Sequence, residues 1–257
     1  MAAARMDADT ISNKEERAMD NTGWICGCCG AGRHRFGQPS RRGFVRAGMA
    51  AAGVLGVAAL PGRAFAQTVL TPDAALQALM DGNKRYMQAK LESCSTDLSI
   101  LQQKTIGKQE PFAAVLSCAD SRVPVELIFD QSIGHLFVTR VAGNIATSEM
   151  IASLEYGAAV LGTSVILVLG HSGCGAVKAA MAGKPVPGQI SDLFAPLRPA
   201  VDEGKGNLEA TIKDNAQIQA RLLATASPLL AGLIKDGKLK VAAGYYELGT
   251  GDVTLLS

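Results

Sequence analysis

The chain has 257 residues, of which 48% are hydrophobic and 19% charged, and its formal net charge is +2. That length allows one or two domains. The positive charge lies in residues 1–66, which contain nine Lys or Arg and five Asp or Glu; residues 67–257 contain 16 and 18 and carry about −2. Because no basic stripe with interleaved aromatic residues remains after residue 66, the composition argues against nucleic acid as a partner.

The first part of the chain has the features of an export signal. Arg41 and Arg42 form a twin-arginine pair, which is followed by fourteen uncharged, mostly apolar residues (47–60) and by an Ala-Phe-Ala cleavage pattern at 64–66. These features predict a cleaved twin-arginine signal peptide, a mature chain that begins at Gln67, and a periplasmic or otherwise exported protein. Fourteen residues are too few to span a bilayer as a helix, so no stable membrane anchor is expected. The alternative is an amphipathic or buried amino-terminal helix.

Three cysteines, Cys26, Cys28 and Cys29, precede the twin arginines, and His34 follows them. They could bind a metal, but their spacing matches no closed structural zinc pattern. Residues 67–257 are expected to form a single domain, since about 190 residues suffice for one domain with a substantial core.

Helical and strand patterns alternate through this domain, which is typical of a parallel sheet. Thr71 and Pro72 begin a helix with apolar residues at helical spacing. Further helices are predicted at residues 123–129, 149–161, 174–181, 208–226 and 228–236. Strands are predicted at residues 112–117, 136–140, 164–169, 239–247 and 252–256. The last two strands flank a Gly-Thr-Gly turn, so we expect an α/β fold with a mostly parallel central sheet, flanking helices and an antiparallel edge strand.

Two short segments that follow predicted strands contain the residue types that bind zinc. Cys118 follows the first strand, and His171 and Cys174 follow the third. Carboxyl ends of strands are where open α/β sheets place their sites, and two thiolates with an imidazole suit one Zn²⁺, with Asp120 as a candidate fourth ligand. The alternatives are a disulfide between the two cysteines, which an exported protein permits, and a core role for the histidine.

Asp120 and Arg122 lie two residues apart beside this predicted site. The guanidinium can hold the carboxylate through a two-pronged hydrogen bond. Held in this way, Asp120 stays off the metal and can accept a hydrogen bond from water; released, it can close the site. The alternative is an ordinary surface ion pair.

The motifs Cys118-Ala-Asp120-Ser-Arg122-Val-Pro and Gly-His171-Ser-Gly-Cys174-Gly resemble the two signatures of β-class carbonic anhydrases. The resemblance covers about residues 70–257, and it implies that residues 67–257 are a single zinc-binding α/β catalytic domain. It implies one Zn²⁺ per subunit on the two cysteines and the histidine, with the Asp/Arg dyad controlling the fourth zinc position. It also implies reversible hydration of carbon dioxide to bicarbonate and a proton by zinc-bound hydroxide, and a homodimer or homotetramer in which the helix after Thr71 packs on its neighbour. Because two thiolates donate more negative charge than three imidazoles, we expect a less acidic bound water and activity that rises with pH.

The resemblance extends to four residues of the substrate pocket: Gln109, Phe137, Gly143 and Tyr156. Core packing is the alternative for the two aromatic residues, and a loop end for Gln109.

Two other functions stay open for the whole chain. One is a related enzyme that acts on carbon disulfide or carbonyl sulfide. The other is a non-catalytic zinc module in which Asp120 permanently occupies the fourth position.

Overall fold

The computed structural model describes residues 70–93 and 105–257. The predicted signal segment (residues 1–66), its cysteines and the predicted cleavage point before Gln67 lie outside these residues. Among the helices that the structure describes, none is long and apolar enough to cross a membrane.

Five strands form one sheet in the order β2-β1-β3-β4-β5. Their bounds are β1 Ala113–Ser117, β2 Leu136–Arg140, β3 Val165–His171, β4 Lys240–Tyr246 and β5 Val253–Leu256. The first four strands in sequence pair in parallel, and β5 pairs antiparallel with β4 at one edge. The predicted fold class is therefore confirmed.

Seven α-helices surround this sheet in the described part of the chain. They are α1 Pro72–Met87, α2 Val125–Ile128, α3 Ser148–Ala159, α4 Gly175–Ala182, α5 Phe194–Glu203, α6 Leu208–Ala226 and α7 Pro228–Lys235. Six of them match the sequence prediction closely. Helix α5 was not predicted because two prolines interrupt its pattern. Pro196 lies in its first turn, where no amide is needed, whereas Pro199 lies inside the helix and removes one backbone hydrogen bond.

Strand β3 separates the two halves of the core, and all seven of its residues are buried. Val165, Leu167 and Leu169 pack in the cluster that contains the buried face of α1. Ile166 and Val168 pack on the opposite side with α3 and α6. This two-sided burial explains the continuous apolar run of β3, as expected for a central parallel strand.

The strand order places the two predicted zinc-binding segments side by side. Ser117 of β1 pairs in register with Leu169 of β3, so the chain leaves both strands at the same edge of the sheet. Chain connections from β1 and β3 proceed to opposite sides of the strand order, because β2 lies beyond β1 and β4 beyond β3. Such a switch point is where open α/β sheets bind ligands.

The side chain of Asn83 connects α1 to the end of α2 and to the segment that leads into β5. The side chain is buried, its Nδ2 donates to the carbonyls of Gly251 (2.8 Å) and Ile128 (3.2 Å), and its Oδ1 accepts from the amide of Val253 (2.9 Å). A buried polar group that loses its partner costs about 1–3 kcal/mol. The Asn83 side chain is therefore expected to contribute substantially to the stability of the domain.

We expect Asn83→Leu to lower the free energy of unfolding by about 3 kcal/mol, because three buried backbone groups lose their partner. Urea unfolding followed by circular dichroism measures this. The control is Gln77→Ala on the exposed face of the same helix, for which a change within about 0.5 kcal/mol is expected. Equal effects of the two substitutions would contradict the assigned role.

Candidate metal centre

Cys118, His171 and Cys174 form a buried cluster, which we call the Cys–His–Cys cluster. Their ligand atoms all lie within 4.8 Å of one another, and the two sulfurs are 4.0 Å apart. Two sulfurs on one tetrahedral zinc, with bonds of about 2.3 Å, would be about 3.8 Å apart. A disulfide needs about 2.05 Å, and both cysteines are free thiols. The cluster therefore has the spacing of a metal site rather than that of a disulfide.

His171 ends β3, and its ring is fully buried. Its Nδ1 lies 3.0 Å from the carbonyl of Ser172; because a carbonyl only accepts, Nδ1 carries the proton and donates. The lone pair is then on Nε2, for which the described residues offer no hydrogen-bond partner. A buried nitrogen without a partner is costly, and a metal ion beside the two sulfurs would satisfy it.

A tight turn brings Cys174 back to the histidine. Gly173 has φ +68°, a backbone conformation that glycine adopts at little cost. Cys174 then occupies the N-cap position of α4. The turn therefore brings His171, at the end of β3, and Cys174, at the start of α4, to the same site although they are only three residues apart.

The two thiols differ strongly in acidity. The hydrogen bond from Cys174 lowers the pKa of Cys118 to about 4 against the effect of burial, with further help from the amide of Gly143. The hydrogen bond to Cys118, together with burial, raises the pKa of Cys174. The physical cause is that two adjacent buried sulfurs cannot both carry charge without a cation. Without metal, the pair therefore holds one proton and one negative charge.

Asp120 lies beside the cluster and is held by Arg122 at three points. Arg122 donates from Nε to Oδ1 (2.9 Å), from Nη2 to Oδ2 (2.8 Å) and from its backbone amide to Oδ1 (3.0 Å). These hydrogen bonds keep the pKa of Asp120 below its ordinary value. Its Oδ2 is 3.8 Å from Nε2 of His171, so an ionised carboxylate faces the cluster. The predicted two-pronged contact is present in the structure.

Arg140 supports this segment in a way that the sequence did not indicate. It ends β2 next to Ser117 in register, and its guanidinium donates to the carbonyls of Cys118 (2.9 Å, from Nε) and Asp120 (from Nη2). The only signal in the sequence was its position at the end of a strand. Arg140 thereby fixes the backbone that carries a predicted ligand and the dyad carboxylate.

A second support lies behind His171. The hydroxyl of Ser172 accepts from the amide of Leu248 (2.9 Å) and donates to Oε1 of Glu247 (2.8 Å), while its own amide donates to the carbonyl of Tyr246. These hydrogen bonds fix the position of Ser172, whose carbonyl accepts the hydrogen bond from Nδ1 of His171. Glu247 is separated from Ser172 by more than seventy residues, so no local pattern could have identified this contact.

The four predicted pocket residues fall into two groups. Gly143 lies at the cluster, where its amide donates to the Cys118 sulfur (3.3 Å). Phe137 pairs with Ala114, four residues and about 13 Å before Cys118, and its ring lies 6.2 Å from that of Tyr156. Gln109 and Tyr156 line an open cavity of about 560 Å³, and no residue of the Cys–His–Cys cluster is among its lining residues. Within one chain, these three side chains are therefore set apart from the cluster.

Comparison with known proteins gives consistent results. The family model described as "Carbonic anhydrase" matches residues 113–253, a span that includes every residue of the Cys–His–Cys cluster and the dyad. "Carbonic anhydrase 2" of Mycobacterium tuberculosis is 33% identical over 192 residues, which cover 72% of this chain and 92% of that protein. The carbonic anhydrase of Mycolicibacterium smegmatis is 34% identical over 200 residues, covering 69% and 97%.

Solved structures show the same fold. A Coccomyxa β-carbonic anhydrase in complex with acetazolamide is 28% identical, with a TM-score of 0.57 over 70% of this chain and 86% of that one. One of two tetrameric β-carbonic anhydrases from Sordaria macrospora has a TM-score of 0.59 over 71% and 96%, at 22% identity. The family match, the relatives and the fold agree, and the chain belongs to the β-class carbonic anhydrases.

Proposed function

We propose that this carbonic anhydrase holds one Zn²⁺ on the Cys–His–Cys cluster and uses Asp120 and Arg122 to control the fourth zinc position during reversible hydration of carbon dioxide. The observation that carries the proposal is the burial of two sulfurs and an unpartnered imidazole nitrogen at one point, with an ionised carboxylate 3.8 Å from that nitrogen. Two thiolates and an imidazole are ligands that zinc prefers, and three protein ligands leave one position for chemistry. When bound, zinc supplies Lewis-acid chemistry that makes water nucleophilic near neutral pH.

Asp120 has the position and charge to orient a water molecule. Its hydrogen bonds with Arg122 keep it ionised, and Oδ2 retains acceptor capacity on the side that faces His171. An oriented acceptor can accept a hydrogen bond from a water that would occupy the fourth position, and can thereby aim the oxygen lone pair at carbon dioxide. The same carboxylate lies close enough to close the site if Arg122 releases it, and the Arg122 side chain is 57% exposed.

The substrate side of the pocket requires a second copy of the chain in this proposal. Phe137, Tyr156 and Gln109 lie away from the cluster of their own chain, and Tyr156 and nearby Val160 are half exposed. The apolar stripe of α1 packs in its own core, so this stripe offers no apolar face to a neighbour. A homodimer or homotetramer is supported by the tetrameric state named for the Sordaria macrospora proteins.

We also propose that residues 1–66 export the protein through the twin-arginine route. Replacing both Arg41 and Arg42 by Lys is expected to keep the protein in the cytoplasm, because the paired arginines are the recognised feature. Cell fractionation and amino-terminal sequencing of the exported form measure this, with Gln67 as the expected first residue. Export of the double variant at the original level would contradict the assignment.

The dyad is tested with Asp120→Asn. The amide keeps the shape of the side chain but loses the negative charge that accepts the hydrogen bond of the water, so we expect kcat to fall by about 100-fold or more while one zinc per subunit is retained. Stopped-flow carbon dioxide hydration at pH 8.5 and metal analysis measure the two quantities. Glu126→Gln, on the surface of α2, serves as the control.

Three results would count against the proposal. Loss of zinc from Asp120→Asn would indicate a closed structural site. Zinc without carbon dioxide hydration in the unsubstituted protein would indicate a non-catalytic module. Hydrogen sulfide release from carbon disulfide or carbonyl sulfide in place of hydration would indicate the related enzyme.

Zinc binding should release about one proton from the thiol pair near pH 7. Cys118 is already a thiolate there, since its pKa is lowered to about 4, whereas Cys174 keeps its proton until the metal replaces it. Titration calorimetry in buffers with different ionisation enthalpies counts these protons. Release of two protons, or of none, would contradict the assigned protonation.

A further inference from the structure

Helix α6 presents a polar stripe to the protein interior. Thr211, Asn215 and Gln219 follow one another at intervals of four residues, and each is at most 1% exposed. Apolar residues of the same helix, including Ile212 and Ala216, surround them. Buried amides are costly unless they are hydrogen bonded, so each polar side chain of this stripe is expected to have a hydrogen-bond partner.

The two amides of the stripe bind the loop that follows β2, residues 141–146. Asn215 donates from Nδ2 to the carbonyl of Gly143 (2.9 Å), and Gln219 accepts at Oε1 from the amide of Ala146 (2.9 Å). Gln219 also donates from Nε2 to Oδ1 of Asn215 (3.1 Å) and to the carbonyl of Pro196 (3.2 Å). Because Oδ1 of Asn215 is occupied, its NH₂ group must face Gly143. The side chains of Asn215 and Gln219 therefore bind the loop at two points, and their mutual hydrogen bond fixes the orientation of both amides.

This loop delivers a hydrogen bond to a predicted metal ligand. The amide of Gly143 donates to the Cys118 sulfur at 3.3 Å. Gly143 has φ +81°, and a Cβ at this position would lie 3.3 Å from Leu197 and 3.4 Å from Ala176. The glycine thus sits in a confined left-handed conformation, with its amide fixed by the sulfur and its carbonyl by Asn215.

We propose that Asn215 is a positioning residue for the metal ligand Cys118, and that it acts through Gly143. The inference rests on the proposed zinc site. An N–H···S hydrogen bond withdraws charge from a thiolate, so the sulfur donates less charge to a bound metal and the metal becomes a stronger Lewis acid. Asn215 keeps this donor aimed, and Gln219 keeps Asn215 in the orientation that allows it.

Cobalt(II) in place of zinc gives a direct readout, because its thiolate charge-transfer absorption reports the electron density on the sulfurs. In Asn215→Leu the donor of the Gly143 carbonyl is lost, the amide loses its alignment, and the charge-transfer band is expected to move to longer wavelength. Metal affinity, measured by competition with a chelator, is expected to fall by about 10-fold, as for other residues that support metal ligands.

Two further variants make the test specific. Gln219→Met removes the neighbouring amide and should move the band in the same direction by a smaller amount; it also carries the test if Asn215→Leu does not fold. Thr211→Val is the matched control, because its hydroxyl lies on the same buried stripe but donates to the carbonyl of Asn207 (2.7 Å) and not to the 141–146 loop. It should lower thermal stability without moving the band.

The outcomes separate this inference from the proposed function. If the unsubstituted protein shows no thiolate-to-cobalt band, the proposed metal site itself fails. If that band is present but stays in place in folded Asn215→Leu and Gln219→Met, only the positioning role is overturned. A shift in Thr211→Val as large as that in Asn215→Leu also overturns it, because the effect would then reflect general loosening of α6.

Discussion

The structure depends on burying three ligand atoms together at the ends of two neighbouring parallel strands. The sulfurs of Cys118 and Cys174 and the imidazole of His171 are almost completely removed from solvent. Adjacent buried sulfurs repel each other as soon as both are ionised, and a buried ring nitrogen without a partner loses the hydrogen bond that water would give. Without a cation the sulfur pair therefore keeps a proton and the ring nitrogen stays unsatisfied, and a divalent ion would replace the first and bind the second.

Two of the three candidate ligands are supported by different parts of the chain. Cys118 receives the amide of Gly143 from the loop held by α6, and its carbonyl is held by Arg140 from the edge strand. His171 rests on the Ser172 carbonyl, which Glu247 and Leu248 fix after β4. The position of the cluster is thus specified by the sheet and by supports from both of its neighbouring strands. Ligands held in this way lose little further freedom when they bind a metal.

Local patterns in the sequence were sufficient for most of the fold. Alternation of strands and helices identified all five strands, and α6 was predicted with its observed bounds of Leu208–Ala226. Helix α5 was missed because the unfavourable propensity of proline, which dominates a sequence argument, is overridden here by packing of Leu197 and Ala200 in the core. The cluster was also accessible, because each ligand directly follows a strand that could be predicted.

The supports of the site could not be predicted, for a physical reason. Asn215, Gln219 and Glu247 act on residues more than seventy positions away, and a polar residue in a sequence gives no indication of its distant partner. The spacing of Thr211, Asn215 and Gln219 on an otherwise apolar helical face was the one usable signal. Such a spacing is compatible with buried polar groups, but only the fold shows that they bind the loop beside Cys118.

The two arginines at the site illustrate how similar charges can serve opposite purposes. Arg140 binds backbone carbonyls, whose positions are set by the sheet, so its hydrogen bonds lock the segment that carries Cys118. Arg122 binds a side-chain carboxylate, and more than half of its own side chain is in contact with solvent. Arg140 is exposed as well, so the difference lies in the partner: a side-chain carboxylate can rotate away from its guanidinium, whereas backbone carbonyls set by the sheet cannot. The geometry therefore combines a rigid ligand segment with one releasable carboxylate, which is the combination that a fourth position with open and closed states requires.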